Sequence, residues 1–229
     1  MLDVAIRKAD GSTAVDWSTV GVRTAPPLPV DPALHELLPN GLRRGSTVSV
    51  SGSVSLLLAL LGAASAAGAW CALVGFPRVS AEAAREYGVE LTRLALVPAP
   101  GASWTTAVGA LLDSVDVVAA RPPGGRGLAP GDVRRLAARA RTKDAVLMPY
   151  VTDERAAAWP GADVRLRARA GTWSGIGAGS GRLRARQVEV EAGGRGPSAR
   201  PRSATLWLPA AGGGLAETAP LAPVIDLAG

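Results

Sequence analysis

A long stretch without a charged side chain, from Ser46 to Pro77, sets the tightest limit on how this chain folds. Its length raises the possibility of a membrane span, which needs about 20 consecutive apolar residues. Glycine and serine interrupt the stretch repeatedly, however, and only Leu56–Leu61 is densely apolar. We therefore interpret it as a buried strand, a turn, a buried helix and a second buried strand, and we expect no membrane segment.

Strands and helices are predicted to alternate between residues 47 and 148. The predicted strands are Thr47–Ser51, Trp70–Val74, Leu94–Val97, Val115–Ala120 and Ala145–Met148, and the predicted helices are Ser55–Ala67, Ser80–Tyr87, Ser103–Leu112 and Gly131–Arg141. Such alternation is typical of parallel βαβ units with right-handed crossovers. Because 48% of the residues are hydrophobic and only 4% are aromatic, the core must consist mainly of Leu, Val and Ala. We therefore predict an α/β fold with helices packed on a mostly parallel sheet.

A different periodicity begins after residue 160. Asp163–Ala170 alternates between apolar residues and arginines, and Gly171–Gly181 is predicted to be a glycine-rich loop. Arg182–Glu191 alternates again with a change of phase, which a bulge near Gln187, or a strand leaving one layer for another, would explain. With a last strand at Ser203–Leu208, the pattern predicts an antiparallel hairpin extension after the parallel core.

The chain is predicted to have three parts. Residues 1–30 form a loosely ordered N-terminal arm, and residues 31–209 form the core domain. Residues 210–229 are rich in Ala, Gly and Pro and are predicted to be a flexible tail. The first residues include a charge and lack the apolar segment of a secretory leader, so we expect a cytoplasmic protein.

The turn after the first predicted strand is where a phosphate-binding loop would lie. Such a loop has the pattern G-x-x-x-x-G-K-[S/T], in which backbone N–H groups cradle phosphates, the lysine neutralises them and the hydroxyl holds Mg²⁺. This turn has one glycine, no lysine and too few residues before the helix. We therefore expect a vestigial nucleotide site that holds no cofactor, formed by Ser51, Gly52, Ser53 and Ser55.

The order of several short motifs resembles that of RecA-type domains. Leu37–Gly45 resembles the segment that leads into the phosphate-loop strand of that family, and Tyr87–Leu94 resembles the step after its second core helix. Val115–Ala120 resembles the strand that ends in its Mg²⁺-holding Asp, and Asp163–Leu166 resembles a late strand followed by a hairpin. The resemblance runs from about residue 34 to about residue 208. It implies a RecA-like fold.

The positions that carry catalysis in the RecA family differ here. Arg121 stands where the family has its metal-binding Asp, and Gly75-Phe76-Pro77 stands where its catalytic Glu would lie. Pro149-Tyr150 replaces an Asn-Gln sensor, and Val151–Ala162 is short for the main DNA-binding loop. The resemblance therefore implies a non-hydrolysing paralogue with no catalytic residues. The single His and the single Cys also exclude a multi-His metal site and an intrachain disulfide.

Within that class the chain looks most like the ImuA-type accessory proteins of actinobacteria. In that family a RecA-like subunit works beside an inactive Y-family polymerase homologue and an error-prone DnaE-type polymerase, in damage-induced mutagenic translesion synthesis. The resemblance implies a non-catalytic accessory subunit that acts by protein–protein binding, with these two polymerases as its partners.

Two runs of alternating arginines form the surface that residue chemistry singles out. If the runs face each other, their like charges need an anion to offset them, which would be a phosphate or an acidic protein. The tryptophan between the runs would stack on a base or contact a protein. The alternative is that the arginines only make one sheet face soluble, interleaved with acidic residues, and that the tryptophan anchors a loop. The candidates are Arg165, Arg167, Arg169, Trp173, Arg182, Arg184 and Arg186.

Two further functions stay open. The net charge of +6 permits contact with nucleic acid, although the preference for Arg over Lys also fits a GC-rich genome. A DNA-binding module that uses the Arg-rich sheet face would lose affinity steeply with salt. A divergent ATPase would bind ATP together with Mg²⁺.

Overall fold

The computed structural model describes residues 7–8, 26–124, 128–152, 159–177 and 180–218, which form eleven strands and four α-helices. The strands are β1 (Arg7–Lys8), β2 (Val48–Ser51), β3 (Cys71–Val74), β4 (Leu94–Val97), β5 (Val117–Ala120), β6 (Val146–Val151), β7 (Val164–Ala168), β8 (Thr172–Gly177), β9 (Ser180–Gly194), β10 (Arg202–Trp207) and β11 (Ala216–Glu217). The helices are α1 (Val54–Ala66), α2 (Ala81–Glu86), α3 (Trp104–Leu112) and α4 (Pro130–Thr142). Of the predicted N-terminal arm, residues 1–30, the structure describes residues 7–8 and 26–30, and of the predicted tail, residues 210–229, it describes residues 210–218.

One sheet runs through the molecule in the order β1-β4-β3-β5-β6-β2-β7-β9-β10-β11, and β8 pairs with β9. Strands β2 to β7 are mutually parallel, whereas β9, β10, β11 and β8 pair in antiparallel fashion. The predicted α/β class, with a mostly parallel sheet flanked by helices and an antiparallel C-terminal extension, is confirmed.

Two hydrophobic cores lie on opposite faces of the sheet. The first surrounds α1 and includes Val48 and Val50, while the second lies under α3 and α4 and includes Ala72 and Val74. Every residue of Leu56–Leu61 in α1 is buried. Burying one such leucine contributes about 1.5–3 kcal/mol. The stretch carries no charge because all of β3 and most of α1 are buried in the protein.

No helix in the described part of the chain is long and apolar enough to cross a membrane. The longest apolar helix, α1, begins at a cap in which Ser53 Oγ accepts a hydrogen bond from the Leu56 N–H at 3.3 Å. Helix α2 also begins at a cap, in which Ser80 Oγ accepts a hydrogen bond from the Ala83 N–H at 3.1 Å.

Element boundaries agree with the sequence predictions to within one to three residues, and β4 agrees at both ends. One two-residue offset has a structural cause. Strand β5 begins at Val117 rather than Val115 because Asp116, just before it, uses its side chain to accept a hydrogen bond from the Trp70 N–H.

The predicted loop at Gly171–Gly181 is wrong for its first half, because Thr172–Gly177 forms β8. The glycines there permit close approach between strands rather than a turn. Gly175 has a φ of +113°, and a Cβ at this position would collide with the carbonyl oxygen of Arg182 on β9.

The prediction of a bulge near Gln187 is also wrong. Gln187 pairs regularly with Trp207 on one side and with Thr172 on the other. The irregularity lies instead on β8, between Ser174 and Ile176. The change of phase arises because β9 is long, with its first half paired to β8 and its second half to β7.

Candidate binding surfaces

The turn between β2 and α1 is shorter and tighter than a phosphate-binding loop. Only Gly52 and Ser53 separate the strand from the helix. Gly52 has a φ of +81°, and a Cβ there would collide with the carbonyl oxygen of Ala168 at the end of β7. The Ser53 hydroxyl caps α1. The turn is thus packed against β7, and its serine hydroxyl already forms a hydrogen bond within the protein.

The other turn residues that were predicted to form a vestigial nucleotide site also have structural partners. Ser51 Oγ lies 3.5 Å from the Leu166 carbonyl oxygen, and Ser55 hydrogen-bonds to the phenol of Tyr87. Burial raises the pKa of Tyr87, and the hydrogen bond from Ser55 partly offsets that rise. These serines therefore hold the start of α1 in place.

Arg121 lies at the carboxyl end of β5, where the resemblance puts a metal-binding Asp. Its backbone N–H donates to the Val74 carbonyl oxygen at 2.8 Å, and its own carbonyl accepts from Trp104 Nε1 at 2.7 Å. Burial raises the pKa of Tyr150 on β6, and the positive charges of Arg121 and Arg186 partly offset the rise. This edge of the sheet therefore carries cations where a Mg²⁺ site needs carboxylates.

The sequence interpretation proposed that the arginines of β7 face those of β9, but the strand pairing shows that they do not. Arg167 pairs in register with Glu191, and Arg165 pairs with Gly193. The Arg169 guanidinium forms ion pairs with Glu191 and with Glu189, the latter at 3.8 Å. On β7 the interleaving with acidic residues therefore prevails, because the strands pair in a different register from the one proposed.

A groove of about 640 Å³ follows these paired charges across the sheet. Ser49 and Ser51 of β2 line one side, Arg165 and Arg167 line the middle, and Arg202 lies on the far side with β10. Since Glu189 and Glu191 also line it, the groove has mixed charge and little net attraction for an anion.

The arginines of β9 lie on a hairpin that β8 and β9 form together. Trp173 opposes Arg186, and opposed residues share a face of an antiparallel pair. Since side chains alternate along a strand, Arg184 and Arg182 lie on that same face. The Arg186 guanidinium carbon lies 5.8 Å from the centroid of the Trp173 ring, which is cation–π geometry. We call Trp173, Arg182, Arg184 and Arg186 the cationic face of the hairpin.

The other face of the hairpin is apolar. Ile176 opposes Gly181, so it shares a face with Leu183. Ile176 is 60% exposed, Leu183 is 49% exposed and Trp173 is 45% exposed, and these are the exposed large hydrophobic side chains of the described residues. We call Ile176 and Leu183 the apolar face of the hairpin. Sequence reasoning missed it because both residues stand among glycines and arginines.

No group of three or more His, Cys, Asp or Glu side chains that could hold a metal ion occurs in the portion the structure describes. Cys71 is fully buried on β3, and burial together with the nearby charge of Asp116 raises its pKa to about 12. A thiol of this kind is neutral and inert at physiological pH.

The sheet order, the two covered faces and the phosphate-loop position define a RecA-like α/β protein. The fold is similar to that in the crystal structure of the RadB recombinase, with a TM-score of 0.62 over 82% of this chain and 97% of that chain. The two sequences are 14% identical, so the similarity concerns the fold.

Residues 36–161 match the family model of the MT3502 N-terminal domain, and since the match covers more than half of the chain, the protein belongs to this family. The chain is also 38% identical over 137 residues to the uncharacterized protein Rv3395c of Mycobacterium tuberculosis (strain ATCC 25618 / H37Rv). That alignment covers 58% of this chain and 64% of the relative, so it spans less than two thirds of the relative's length. The β8–β9 hairpin lies beyond the residues that the family model matches.

Proposed function

We propose that this protein is a non-catalytic RecA-like accessory subunit that acts by binding proteins in a DNA damage-induced mutagenic translesion synthesis complex. Its proposed partners are a Y-family polymerase homologue and an error-prone DnaE-type polymerase, as the resemblance to ImuA-type proteins implies. The observation that carries the binding role is the hairpin, which gathers exposed apolar side chains on a fold that otherwise buries them.

The β2–α1 turn and Arg121, which lie where ATP hydrolysis would take place, also support a non-catalytic role. The β2–α1 turn has no lysine, and its close packing on Ala168 leaves little room for the longer loop that cradles phosphates. Arg121 replaces a carboxylate ligand with a cation. A divergent ATPase would need another way to hold both Mg²⁺ and phosphate.

The composition of the hairpin fits a protein interface. Tryptophan and arginine are enriched among the residues that contribute most to binding energy, and exposed apolar residues beside them exclude water when a partner docks. Ile176, Leu183 and Trp173 lie within one short hairpin that projects from the end of the sheet. A partner that packs on the apolar face would bury Ile176 and Leu183, and one that also reaches the opposite face would bury Trp173.

DNA binding is the second candidate function, and the cationic face of the hairpin favours it. Arg182 and Arg184 are exposed, and Trp173 offers a ring on which a base can stack. On this reading the arginines of β9 contact phosphates, whereas those of β7 do not, since Glu189 and Glu191 line the same groove as Arg165 and Arg167.

Co-purification with a tag at the N-terminus, from cells with and without DNA damage, tests both functions. The wild-type chain is expected to recover both polymerases with or without nuclease. The double variant Ile176→Ser/Leu183→Ser is expected to lose them, while Arg134→Ala/Arg141→Ala on the exposed face of α4 retains them. Recovery that disappears on nuclease treatment would transfer the role to DNA, and recovery of neither polymerase from the wild type would refute the accessory role.

A further inference from the structure

A cleft of about 650 Å³ opens at the carboxyl edge of the parallel sheet. Three loops form it: Gly75–Val79 after β3, Pro100-Gly101 after β4 and Arg121–Gly124 after β5. The carboxyl edge of a parallel sheet is where α/β proteins place their ligands. The cleft differs from the β2–α1 turn, to which it is joined only through Val54.

Among the residues that the structure describes, the charged residues lining the cleft are both arginines. Arg78 and Arg121 line it, both side chains are exposed, and no acidic residue is among the lining residues. Within the described ranges neither arginine forms an ion pair, whereas other surface arginines such as Arg139 and Arg169 do. Two guanidinium groups without a carboxylate partner favour an anionic ligand.

The backbone of the cleft is poorly suited to phosphate. Cradling a phosphate requires several free backbone N–H groups. Four of the lining residues are prolines and have no N–H: Pro77, Pro100, Pro122 and Pro123. The N–H of Gly75 donates to the Val97 carbonyl at 2.9 Å, and that of Arg121 donates to the Val74 carbonyl. The donors that remain are the two guanidinium groups and a few backbone N–H groups, such as those of Phe76 and Gly101, which lie on different loops.

The floor of the cleft is aromatic but offers no ring face for a nucleobase. Trp104 is 2% exposed, and its indole N–H is bound to the Arg121 carbonyl oxygen. Phe76 is 5% exposed and packs edge-on against Tyr150, with 5.8 Å between the ring centroids. Stacking on a base requires an accessible ring. The prolines and these ring edges instead form an apolar wall for an aliphatic side chain.

We propose that the cleft binds an acidic peptide segment of a partner protein, with carboxylates on Arg78 and Arg121 and an apolar side chain against Phe76, Trp104 and the prolines. Arginine recognises carboxylates through paired N–H donors, and an aliphatic residue beside an acidic one matches the wall beside the cations. This ligand class follows from the lining of the cleft and does not depend on the polymerase partners proposed above.

Fluorescence anisotropy with a labelled dodecapeptide of alternating Asp and Leu tests the proposal on the full chain. The wild-type protein is expected to bind this probe, and to bind its Asn/Leu counterpart about fivefold more weakly, since the neutral side chains lose the attraction of both guanidinium groups. Arg78→Ala/Arg121→Ala is expected to weaken binding of the Asp/Leu probe by a similar factor. Arg134→Ala/Arg141→Ala, which removes the same charge from α4, is expected to bind as the wild type does.

Equal binding of the two peptides, or equal loss in both double variants, would overturn the proposal. So would displacement of the probe by ATP or inorganic triphosphate at concentrations where glutamate has no effect, since that result identifies a phosphate site. The thermal midpoint of each variant shows that it is folded. The Ile176→Ser/Leu183→Ser variant is expected to bind the peptide normally, which keeps failure of the cleft distinct from failure of the hairpin.

Discussion

The guanidinium of Arg44 and the carboxylate of Asp116 form a shielded ion pair, with 2.7 Å between Arg44 Nη1 and Asp116 Oδ1 and with side chains that are 11% and 5% exposed. The second carboxylate oxygen, Oδ2, accepts a hydrogen bond from the Trp70 N–H at 2.9 Å. Arg44 Nε also donates to the Pro26 carbonyl at 3.2 Å. One ion pair thus joins the segments that precede β2, β3 and β5, at the edge of the sheet opposite the cleft.

Removing one partner of this pair is expected to destabilise the protein strongly. Asp116→Asn leaves the Arg44 charge buried without its counter-ion, and a loss of about 3–5 kcal/mol in the free energy of unfolding is expected. Arg44→Met/Asp116→Leu is expected to lose less, because no charge stays buried. Urea unfolding followed by circular dichroism measures both.

A control for that experiment is Arg85→Ala, which breaks the exposed Glu82–Arg85 pair on α2. Exposed pairs contribute about 0–1 kcal/mol, so a small change is expected. If Asp116→Asn were no more destabilised than Arg85→Ala, the structural role of the buried pair would be refuted.

Cys71 is expected to be unreactive in the folded protein. Burial raises its pKa from 9.0 to about 12, so the thiol is neutral at pH 8, and it is also inaccessible to reagents. The aromatic disulfide reagent DTNB should label one thiol per chain in denaturant and none in buffer. The raised pKa also means that this group stabilises the fold below about pH 9, and that its contribution declines as the pH rises from about 9 towards about 12. Rapid stoichiometric labelling of the native protein would contradict this placement.

Two helical glycines are expected to respond to alanine in opposite directions. A Cβ on Gly62 of α1 would collide with the carbonyl oxygen of Tyr87, so Gly62→Ala is expected to destabilise the fold by about 1–3 kcal/mol or more. A Cβ on Gly131 of α4 would meet nothing closer than a guanidinium nitrogen of Arg135 at 3.9 Å. Gly131→Ala is therefore expected to stabilise the fold by up to about 1 kcal/mol through helix propensity. Thermal unfolding of both variants measures the contrast, and two changes of the same sign would contradict it.

The cationic face of the hairpin makes a quantitative prediction about single-stranded DNA. The logarithm of the affinity falls as the logarithm of the salt concentration rises. If Arg182 and Arg184 each neutralise one phosphate, replacing both with alanine makes this negative slope shallower by about 1.4. Titration of a labelled oligonucleotide at several salt concentrations measures this slope. A variant of the β7 arginines, Arg165→Ala/Arg167→Ala, is expected to change it less, because Glu189 and Glu191 lie beside them. Equal effects on the two strands would show that the hairpin has no special role.

Local patterns in the chain are sufficient to predict its architecture. The uncharged stretch at Ser46–Pro77, the caps at Ser53 and Ser80 and the alternation of periods each report on neighbours a few residues away. Helix and strand formation depend largely on such neighbours. For this reason the order of elements and the α/β class could be predicted, as could the antiparallel extension.

Cross-strand register could not be predicted in the same way. The arginines of β7 alternate visibly, yet it is the pairing of Arg167 with Glu191 that decides what they do. A shift of one residue reverses every opposed pair, and the register is set by packing along the whole strand. The prediction of a loop at Gly171–Gly181 is wrong for the same reason, since only the close approach of β9 shows why a glycine is needed at position 175.

Composition and local order are enough to predict the class of fold, and they also show that the β2–α1 turn has no lysine and that arginine is abundant. Which arginines have acidic neighbours depends on how distant strands pair, and composition and local order do not reveal it. Arg78 and Arg121 are far apart in the chain, and they line one cleft because β3 and β5 are adjacent parallel strands that end at the same edge. Ile176 and Leu183 share an exposed face because a bulge sets the register of β8 against β9.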